Sequence, residues 1–516
     1  MKKTILILTI LLITISCQEV TKYNIENNSS KELFNEIISA YKENDAPLVT
    51  IDFNSPLNPE WARKDYIVLR KILEESNPNI YRYHTQIEID SLFNIKLDQL
   101  KDSINYFDFV RHIAETFNTI ACGHSGWAHS NDFISFRNEA LKFFPLKIKS
   151  IDNRYYITGN GSKNANITLG SEILSINGLS PKDINVLLRK HMYQDGFSSP
   201  NAEADISNYF RNAYSNFISN PDQFDIIIQD KNDIHNSLTL LALNKNDLDS
   251  IFNARYNSNV EVEKPLQFKI ELATNTANYT IKSFRNEIIT AYGQNFQSFT
   301  DSIFDLVEKQ NIKHLIIDIR GNSGGWTANG KKLFSFFINE SMSYISHVEL
   351  SKIDSFSFSP LILSDQGIND TMEFEMNSNK TYNWINYPSL TVNPSGKNRF
   401  KGQVYVLIDE DSRSCSSVFS ALMQSHTNAI FVGQENSAAQ CGQGGMIIIA
   451  ILPYTGINIR SSTAKYSLNV KHPNDTRGIQ VHYRIKQSIE DYLNGSDPQI
   501  EFIDSLIMSN IEQSTY

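Results

Sequence analysis

The chain has 516 residues, of which 41% are hydrophobic and 20% charged, so wholesale disorder and a fibrous protein are both excluded. Its 47 Lys and Arg against 57 Asp and Glu give a net charge of −10, which argues against nucleic acid as a partner. Four cysteines without a CxxC pair exclude a disulfide scaffold or a zinc finger, and no motif predicts a metal or another cofactor.

Residues 1–16 carry Lys2 and Lys3 and then the uncharged run TILILTILLITIS, which is too short to span a bilayer. A basic start followed by a short apolar run predicts a secretory signal peptide. Ser16 and Cys17 resemble the end of a bacterial lipoprotein signal, which implies lipidation of Cys17. We therefore expect an exported protein that is lipid-anchored in the bacterial cell envelope, in the periplasm or at the cell surface. A plain signal peptide with a chance cysteine is the alternative.

Three regions follow the signal. Residues 17–59 are rich in Asn, Ser, Lys and Glu and predict a tether with one weak helix over 32–41. In residues 60–142, apolar side chains recur at spacings of three and four, which predicts a helical region. In residues 143–255, short β-type runs and one helix after Ser180 predict a small, mainly β module.

The last region, 256–516, alternates buried strands with helices. We expect strands at 315–319, 404–408 and 429–433, with helices over 328–338 and 416–425 between them. This alternation is typical of an α/β layer with a largely parallel sheet.

Two segments in this region predict chemistry. The glycine-rich turn DIRGNSGGW (318–326) follows a buried strand, at the sheet edge where open α/β folds bind ligands, although a purely structural turn is the alternative. It matches neither GxxxxGK[ST] nor GxGxxG, so phosphate binding is not expected. The second segment places Ser412, Ser414 and Ser416 at a helix start, where a serine acts either as a nucleophile or simply as a cap.

Together, LIIDIRGNSGG and SRSCSSVF resemble, in order and separation, two motifs of the C-terminal processing (tail-specific) protease family of serine peptidases. FVGQEN and the stretch beginning GIQVHYRIK resemble later motifs of that family, so the resemblance covers about 60–510. It implies a crotonase/ClpP-like α/β catalytic domain with Ser414 as the nucleophile. It also implies an oxyanion hole formed by Gly324 or Gly325 with the N–H of Cys415.

The family's usual lysine base is replaced here by Ala439. Gly123-His124-Ser125 resembles the histidine motif of the tricorn-like branch, which implies His124 as the general base. The alternatives are the other histidines, among them His129 and His482, and Lys465, the next lysine along the chain. Asp475 falls where that branch has a supporting glutamate, so the resemblance implies that it orients the imidazole. Surface solvation is the other reading of Asp475.

Three predictions concern the remaining motifs. LGSEILSING (169–178) resembles the strand pair of PDZ domains, which implies a PDZ-like module that binds peptides as an added strand, with an ordinary hairpin as the alternative. Cys415 is a second candidate nucleophile. A disulfide between Cys122 and Cys441 is compatible with an oxidising compartment.

We therefore expect a serine endopeptidase that acts on peptide or protein substrates. A catalytically silent peptide-binding lipoprotein on the same fold is the alternative, and a polysaccharide-binding surface protein is a third reading. The sequence does not indicate an oligomeric state.

Overall fold

The computed structural model describes residues 31–43, 47–197, 200–256, 263–365 and 367–514. The predicted signal peptide and Cys17 lie outside the described residues. Within the described part of the chain, no helix combines the length and apolar character needed to cross a membrane.

The N-terminal region is helical, as its spacing predicts. Its elements are α1 over 31–43, α2 (Pro59–Ser76), α3 (Gln86–Gln99), α4 (Tyr106–Ile120), β1 (Gly126–Ala128) and α5 (Asn131–Ala140). Helix α2 starts cleanly because Asn58 caps it and Pro59 occupies its first turn. The predicted tether differs from the structure over residues 31–43, because Phe34 and Ile37 on α1 are buried in the core formed by α2 and α4.

The next region is an antiparallel sheet flanked by helices. Its elements are β2 (Leu146–Ile151), β3 (Arg154–Asn160), β4 (Glu172–Ile176), α6 (Pro181–Arg189), α7 (Pro200–Phe217), β5 (Gln223–Gln229), β6 (His235–Leu241) and α8 (Lys245–Tyr256). The strands pair in sequence order, from β2 to β6. Its buried side chains, from Phe144 to Ala242, form one apolar cluster of their own. Helix α7 lies against the edge strand β2, where Ser150 N–H donates a hydrogen bond to Ser207 Oγ at 2.8 Å.

The first half of the C-terminal region contains β7 (Leu266–Glu271), β8 (Thr276–Ile281), α9 (Asn286–Ala291), α10 (Phe296–Lys309), β9 (His314–Asp318) and α11 (Thr327–Phe334). It continues with the short strands β10 (Met342–Ser343), β11 (His347–Leu350), β12 (Ile362–Ser364), β13 (Phe374–Met376), β14 (Tyr382–Trp384) and β15 (Thr391–Val392). The second half contains β16 (Gln403–Ile408), α12 (Cys415–His426), β17 (Ile430–Gly433), β18 (Gly442–Ile451), β19 (Asn458–Ser467), β20 (Tyr483–Arg484), α13 (Ile489–Asn494) and α14 (Pro498–Ser514).

The main sheet of this region has the strand order β20-β17-β16-β9-β8-β7, and all pairs except β7–β8 are parallel. The predicted mixed α/β architecture is therefore confirmed. Strands β9 and β16 are neighbours, and Asp318 lies opposite Leu407 at their carboxyl ends. The glycine turn and the serine segment, which follow these two strands, consequently meet at one edge of the sheet.

A second sheet, not predicted from the sequence, has the order β12-β18-β19-β11-β14-β13. Strand β1 of the helical region also pairs with β19, in the antiparallel register Gly126 to Arg460. The hairpin β18–β19 buries Ile448 and Ile459 in the same core as the helices α2 and α4. This shared core joins the helical region to the C-terminal region beside the loop that carries His124.

Candidate active site

Ser414 lies between the buried strand β16 and helix α12, in a strained backbone conformation with φ 55° and ψ −121°. A non-glycine residue adopts such a conformation only where the surrounding structure holds it, and such positions cluster at functional sites. The Ser414 side chain makes no capping hydrogen bond to the helix. By contrast, Ser412 Oγ and Ser416 Oγ donate to the backbone oxygens of Ile319 and Asn322. Of the three serines, Ser414 is the one whose hydroxyl is left for chemistry.

The imidazole of His124 contacts this hydroxyl, with Nε2 3.1 Å from Ser414 Oγ. Helix α4 ends at Ala121 in the left-handed conformation, and the following turn presents His124 just before β1 pairs with β19. Burial, and secondarily the charge of Arg460, lower the pKa of His124 to about 4. The ring is therefore neutral at physiological pH and able to accept a proton.

The glycine turn packs directly on the nucleophile. A Cβ on Gly324, whose φ is +96°, would lie 2.6 Å from Ser414 Cβ and 2.8 Å from Cys415 N, so only glycine fits there. The Gly324 N–H, however, donates to Asn322 Oδ1 at 2.9 Å. The peptide groups on either side of Gly325 bond to Phe284: Phe284 N–H donates to Gly324 O, and Trp326 N–H donates to Phe284 O, both at 3.0 Å. The N–H of Gly325 itself has no hydrogen-bond partner in the described part of the chain. Of the two predicted glycine donors, Gly325 is therefore the available one.

Cys415 contributes its backbone N–H at the first position of helix α12, where no intrahelical acceptor exists. Its side chain is buried and donates to Trp326 O at 3.4 Å. Burial raises the pKa of the Cys415 thiol to about 12, so it carries no thiolate at neutral pH. This argues against Cys415 as the nucleophile.

Asp475 does not orient the imidazole, so the predicted role is corrected. Its carboxylate is paired with Arg82 and accepts a hydrogen bond from Cys441 Sγ at 2.9 Å. The His124 Nδ1 atom is shielded from solvent and has no hydrogen-bond partner among the described residues. The partner of the Asp475 carboxylate is therefore Arg82, from the helical region, and not His124.

Another buried carboxylate, which no motif or periodicity marks in the sequence, supports the histidine loop. Asp195, between α6 and α7, accepts hydrogen bonds from the N–H groups of Gly123 and Ala439. Its Cβ and Cγ lie 3.1 and 3.5 Å from the position that a Cβ on Gly123 would occupy. The next residue, Gly196, donates its N–H to Ala121 O at 3.0 Å. Burial, partly offset by the charge of Arg82, raises the pKa of Asp195 to about 6.

The other candidates have structural partners. His129 is buried between Tyr106 and Asn216, and His482 Nδ1 accepts a hydrogen bond from the backbone of Phe431. Lys465 lies on β19 opposite Gly444, and its charge acts on Asp475. Among the described contacts, none joins Lys465 to Ser414.

The structure also tests the predictions about the cysteines and about metal binding. Cys122 and Cys441 are both free thiols, so the disulfide that the sequence left open is not present. Over the ranges that the structure describes, no group of three or more His, Cys, Asp or Glu side chains is arranged to hold a metal ion.

A strained serine at a helix start, a neutral imidazole in contact with it and two available N–H groups beside it are the constituents of a serine hydrolase site. Residues 276–485, which include Ser414 and the glycine turn, match the model of Peptidase family S41. This part of the chain is an S41 peptidase domain, and the chain is accordingly a serine-type peptidase by class. His124 lies outside the matched segment.

Solved structures of CPAF share the fold over most of the chain. Mature CPAF complexed with lactacystin matches with a TM-score of 0.61 and 13% identity, covering 87% of this chain and 98% of that chain. Mature CPAF alone gives the same score and identity, with 87% and 96% coverage. A putative peptidase from Parabacteroides merdae matches with a TM-score of 0.45 and 15% identity, covering 86% and 96%. The comparison with curated protein sequences gives no match.

Proposed function

We propose that this protein is an exported serine endopeptidase that hydrolyses peptide bonds of protein or peptide substrates with Ser414 as nucleophile and His124 as general base. The observation that carries the proposal is the 3.1 Å contact between His124 Nε2 and Ser414 Oγ, since proton transfer needs the two atoms within hydrogen-bond reach.

In the acylation step, Ser414 Oγ attacks the carbon of the scissile carbonyl while its proton passes to His124 Nε2. The carbonyl oxygen becomes an oxyanion, which the N–H groups of Gly325 and Cys415 stabilise. The imidazolium then gives its proton to the leaving amine, and an acyl-enzyme remains on Ser414. Water attacks this ester with His124 again as base, which releases the acid product and restores the serine.

This base works without a carboxylate on its second nitrogen. Because Nδ1 of His124 has no hydrogen-bond partner among the described residues, the imidazolium formed in the transition state lacks the support that an aspartate gives in a Ser-His-Asp triad. The low pKa of His124 also shows that the charged ring is disfavoured in this buried environment. We therefore expect slower turnover than a complete triad would allow.

The unsupported Nδ1, together with alanine at the position of the family lysine, is also the observation that favours the alternative of a silent peptide-binding protein. The hydroxyl of Ser414 favours the peptidase over the silent binding protein. A binding protein has no need of a strained serine whose hydroxyl is left uncapped and directed to an imidazole, and strain of this kind costs on the order of 1–3 kcal/mol.

The proposal includes the location and partners. A signal over 1–16 and lipidation of Cys17 would place the enzyme in the bacterial cell envelope, with attachment through the acyl chains because an acidic body is not attracted to anionic lipids. Its partners would be peptide or protein substrates. We keep the PDZ-like assignment of residues 143–255 as part of this proposal.

The test is labelling with a fluorophosphonate probe combined with digestion of an unfolded protein substrate. We expect the wild type to be labelled and to cleave, and Ser414→Ala to do neither. Cys415→Ala is the matched control, because it keeps the backbone N–H of residue 415 and removes the neighbouring thiol. Absence of both labelling and cleavage in the folded wild type would establish the silent alternative. Loss of activity in Cys415→Ala alone would transfer the nucleophile to that residue.

A further inference from the structure

A cavity of about 490 Å³ between β2, α7 and α8 has a strongly basic lining. Of the described residues that line it, the one carboxylate is Asp249. The cationic residues of the lining are Arg137, Lys147, Lys149, Arg211 and Lys245. This concentration of positive charge stands out in a chain whose net charge is −10.

The positive charges of this lining outnumber the carboxylates that face them. Asp249 pairs with Lys245 at 2.5 Å, and no ion pair among the described residues includes the other four. At longer range, the charge of Asp249 also acts on Arg211, and Lys149 acts on Glu410. Two of them are held against one aromatic ring: Lys147 Nζ lies 4.6 Å and Arg211 Cζ 5.0 Å from the centre of Phe252. The ring attracts both cations, but it does not cancel the repulsion between them.

Burial adds to the cost of this arrangement. It lowers the pKa of Arg211 and of Arg137, so both guanidiniums are charged in surroundings that disfavour the charge. Nε of Arg137 is shielded from solvent and has no hydrogen-bond partner in the described part of the chain. Partly desolvated cations that outnumber their counter-charges are unfavourable, and an anion bound in the cavity would offset this cost.

The cavity adjoins a second cavity near the nucleophile loop, and neither lining includes Ser414 or His124. It shares Lys149, Ser207 and Asn208 with this second cavity of about 450 Å³, which reaches Gly321 of the glycine turn and Asp411 of the nucleophile loop. Asn208 Nδ2 donates to Asp411 Oδ2 at 3.2 Å, only three residues before Ser414. A chain bound in the basic cavity would therefore lie beside the segment that carries the nucleophile.

We propose that the basic cavity binds an acidic segment of the substrate, through Asp or Glu side chains outside the scissile bond, and so selects acidic polypeptides for cleavage. Carboxylates are matched by both the guanidinium and the ammonium groups present. A polypeptide fits a cavity that adjoins a second one reaching Asp411, whereas an anionic membrane surface would be repelled by the net negative charge of the protein. The inference rests on the proposed function only in taking the bound segment to be substrate.

The test measures binding in the full-length Ser414→Ala protein, so that its result does not depend on catalysis. Fluorescein-labelled peptides of one length, all amidated at the C-terminus, would carry four Glu, four Gln or four Lys at the same positions. By fluorescence anisotropy we expect the Glu peptide to bind at least tenfold more tightly than the Gln peptide, and 0.5 M NaCl to remove the difference.

Variants then locate the site. Lys147→Gln and Arg211→Gln should each weaken binding of the Glu peptide severalfold, while Lys163→Gln and Lys182→Gln, exposed lysines of the same region outside the cavity, should leave it unchanged. Lys147 is exposed on β2, so its replacement should not disturb folding. Equal affinity for Glu and Gln peptides, or equal losses in cavity and control variants, would overturn the proposal. So would binding of phosphatidylserine vesicles that Lys147→Gln abolishes, because the cavity would then serve lipid headgroups.

Discussion

Gly126 on β1 pairs with Arg460 on β19, and this pairing holds the loop that carries His124 beside the nucleophile. The histidine comes from the helical region and the serine from the S41 domain, so each half of the chemistry lies in a different part of the chain. The active site can form only when these parts are docked. Its activity should therefore report on their packing as well as on the two side chains.

The pH dependence of activity should reflect the low pKa of His124. Only the neutral ring accepts a proton, so kcat/KM should rise with pH through about 4 and be flat near neutrality. His124→Gln should lower kcat on the order of 10²–10⁴-fold. The measurement is a pH–rate profile of the wild type, His124→Gln and Lys465→Met. An alkaline limb that disappears only in Lys465→Met would move the base to that lysine.

The same pKa has a consequence for stability. The pKa of His124 is about 4 in the folded protein and about 6.5 in the unfolded chain, so between these pH values the unfolded state binds more protons. The free energy of unfolding should fall as the pH drops through this window, and His124→Gln should reduce that fall. Urea unfolding at pH 7 and pH 4.5 measures it. An identical pH dependence in the wild type and the variant would show that the ring is not buried in its neutral form.

Asp195 should act as a positioning residue for the base. Its carboxylate accepts the Gly123 and Ala439 N–H groups, so Asp195→Asn should lower kcat tenfold or more, with a small change in KM. Asp65→Asn is the matched control, because Asp65 is equally buried and accepts the N–H groups of Tyr454 and Thr455, away from the histidine loop. Both variants should lower Tm, but only Asp195→Asn should lower kcat of the folded enzyme. Equal kinetic effects would mean that Asp195 has a merely structural role.

Gly324 should tolerate no side chain. In Gly324→Ala, the new Cβ would meet Ser414 Cβ at 2.6 Å, which displaces the nucleophile, so we expect a loss of kcat on the order of 10²-fold or more. Gly321→Ala is the control from the same turn: its φ is also positive, at +72°, but no atom lies within 4 Å of its Cβ. That variant should lose about 1 kcal/mol of stability and keep its turnover. Full activity in Gly324→Ala would show that the turn is not tightly packed on the nucleophile.

Membrane attachment should depend on Cys17. If this residue carries the acyl chains, Cys17→Ser should release the exported protein from the membrane fraction, because each buried CH₂ contributes about 0.8 kcal/mol. Fractionation of cell envelopes followed by immunoblotting measures this. Cys122→Ser is the control, because Cys122 is a buried free thiol in the folded protein and its loss should not change membrane attachment. Retention of Cys17→Ser in the membrane fraction would contradict the lipoprotein prediction.

The sequence by itself determined the local elements of the catalytic sheet and the segments that follow them. The continuous apolar runs of β9 and β16 predict strands that are buried on both faces, as they are in the structure. Glycine and serine patterns mark the turns at the ends of these strands. Helix α11 is the exception within this pattern, since it stops at Phe334, four residues before its predicted end. The order of these segments was therefore enough to indicate the family.

The tertiary structure alone decided which distant side chains meet. The contact between His124 and Ser414 joins residues 290 positions apart and depends on the pairing of β1 with β19, for which a three-residue strand gives no sequence signal. Asp475 was assigned by its place in a motif, but Arg82 from another region captures its carboxylate, and the unmarked Asp195 supports the histidine loop instead. The spacing of apolar residues predicts which face of a helix or strand is buried. The partners of buried polar groups depend instead on how whole regions pack against each other, and a local sequence pattern does not predict that packing.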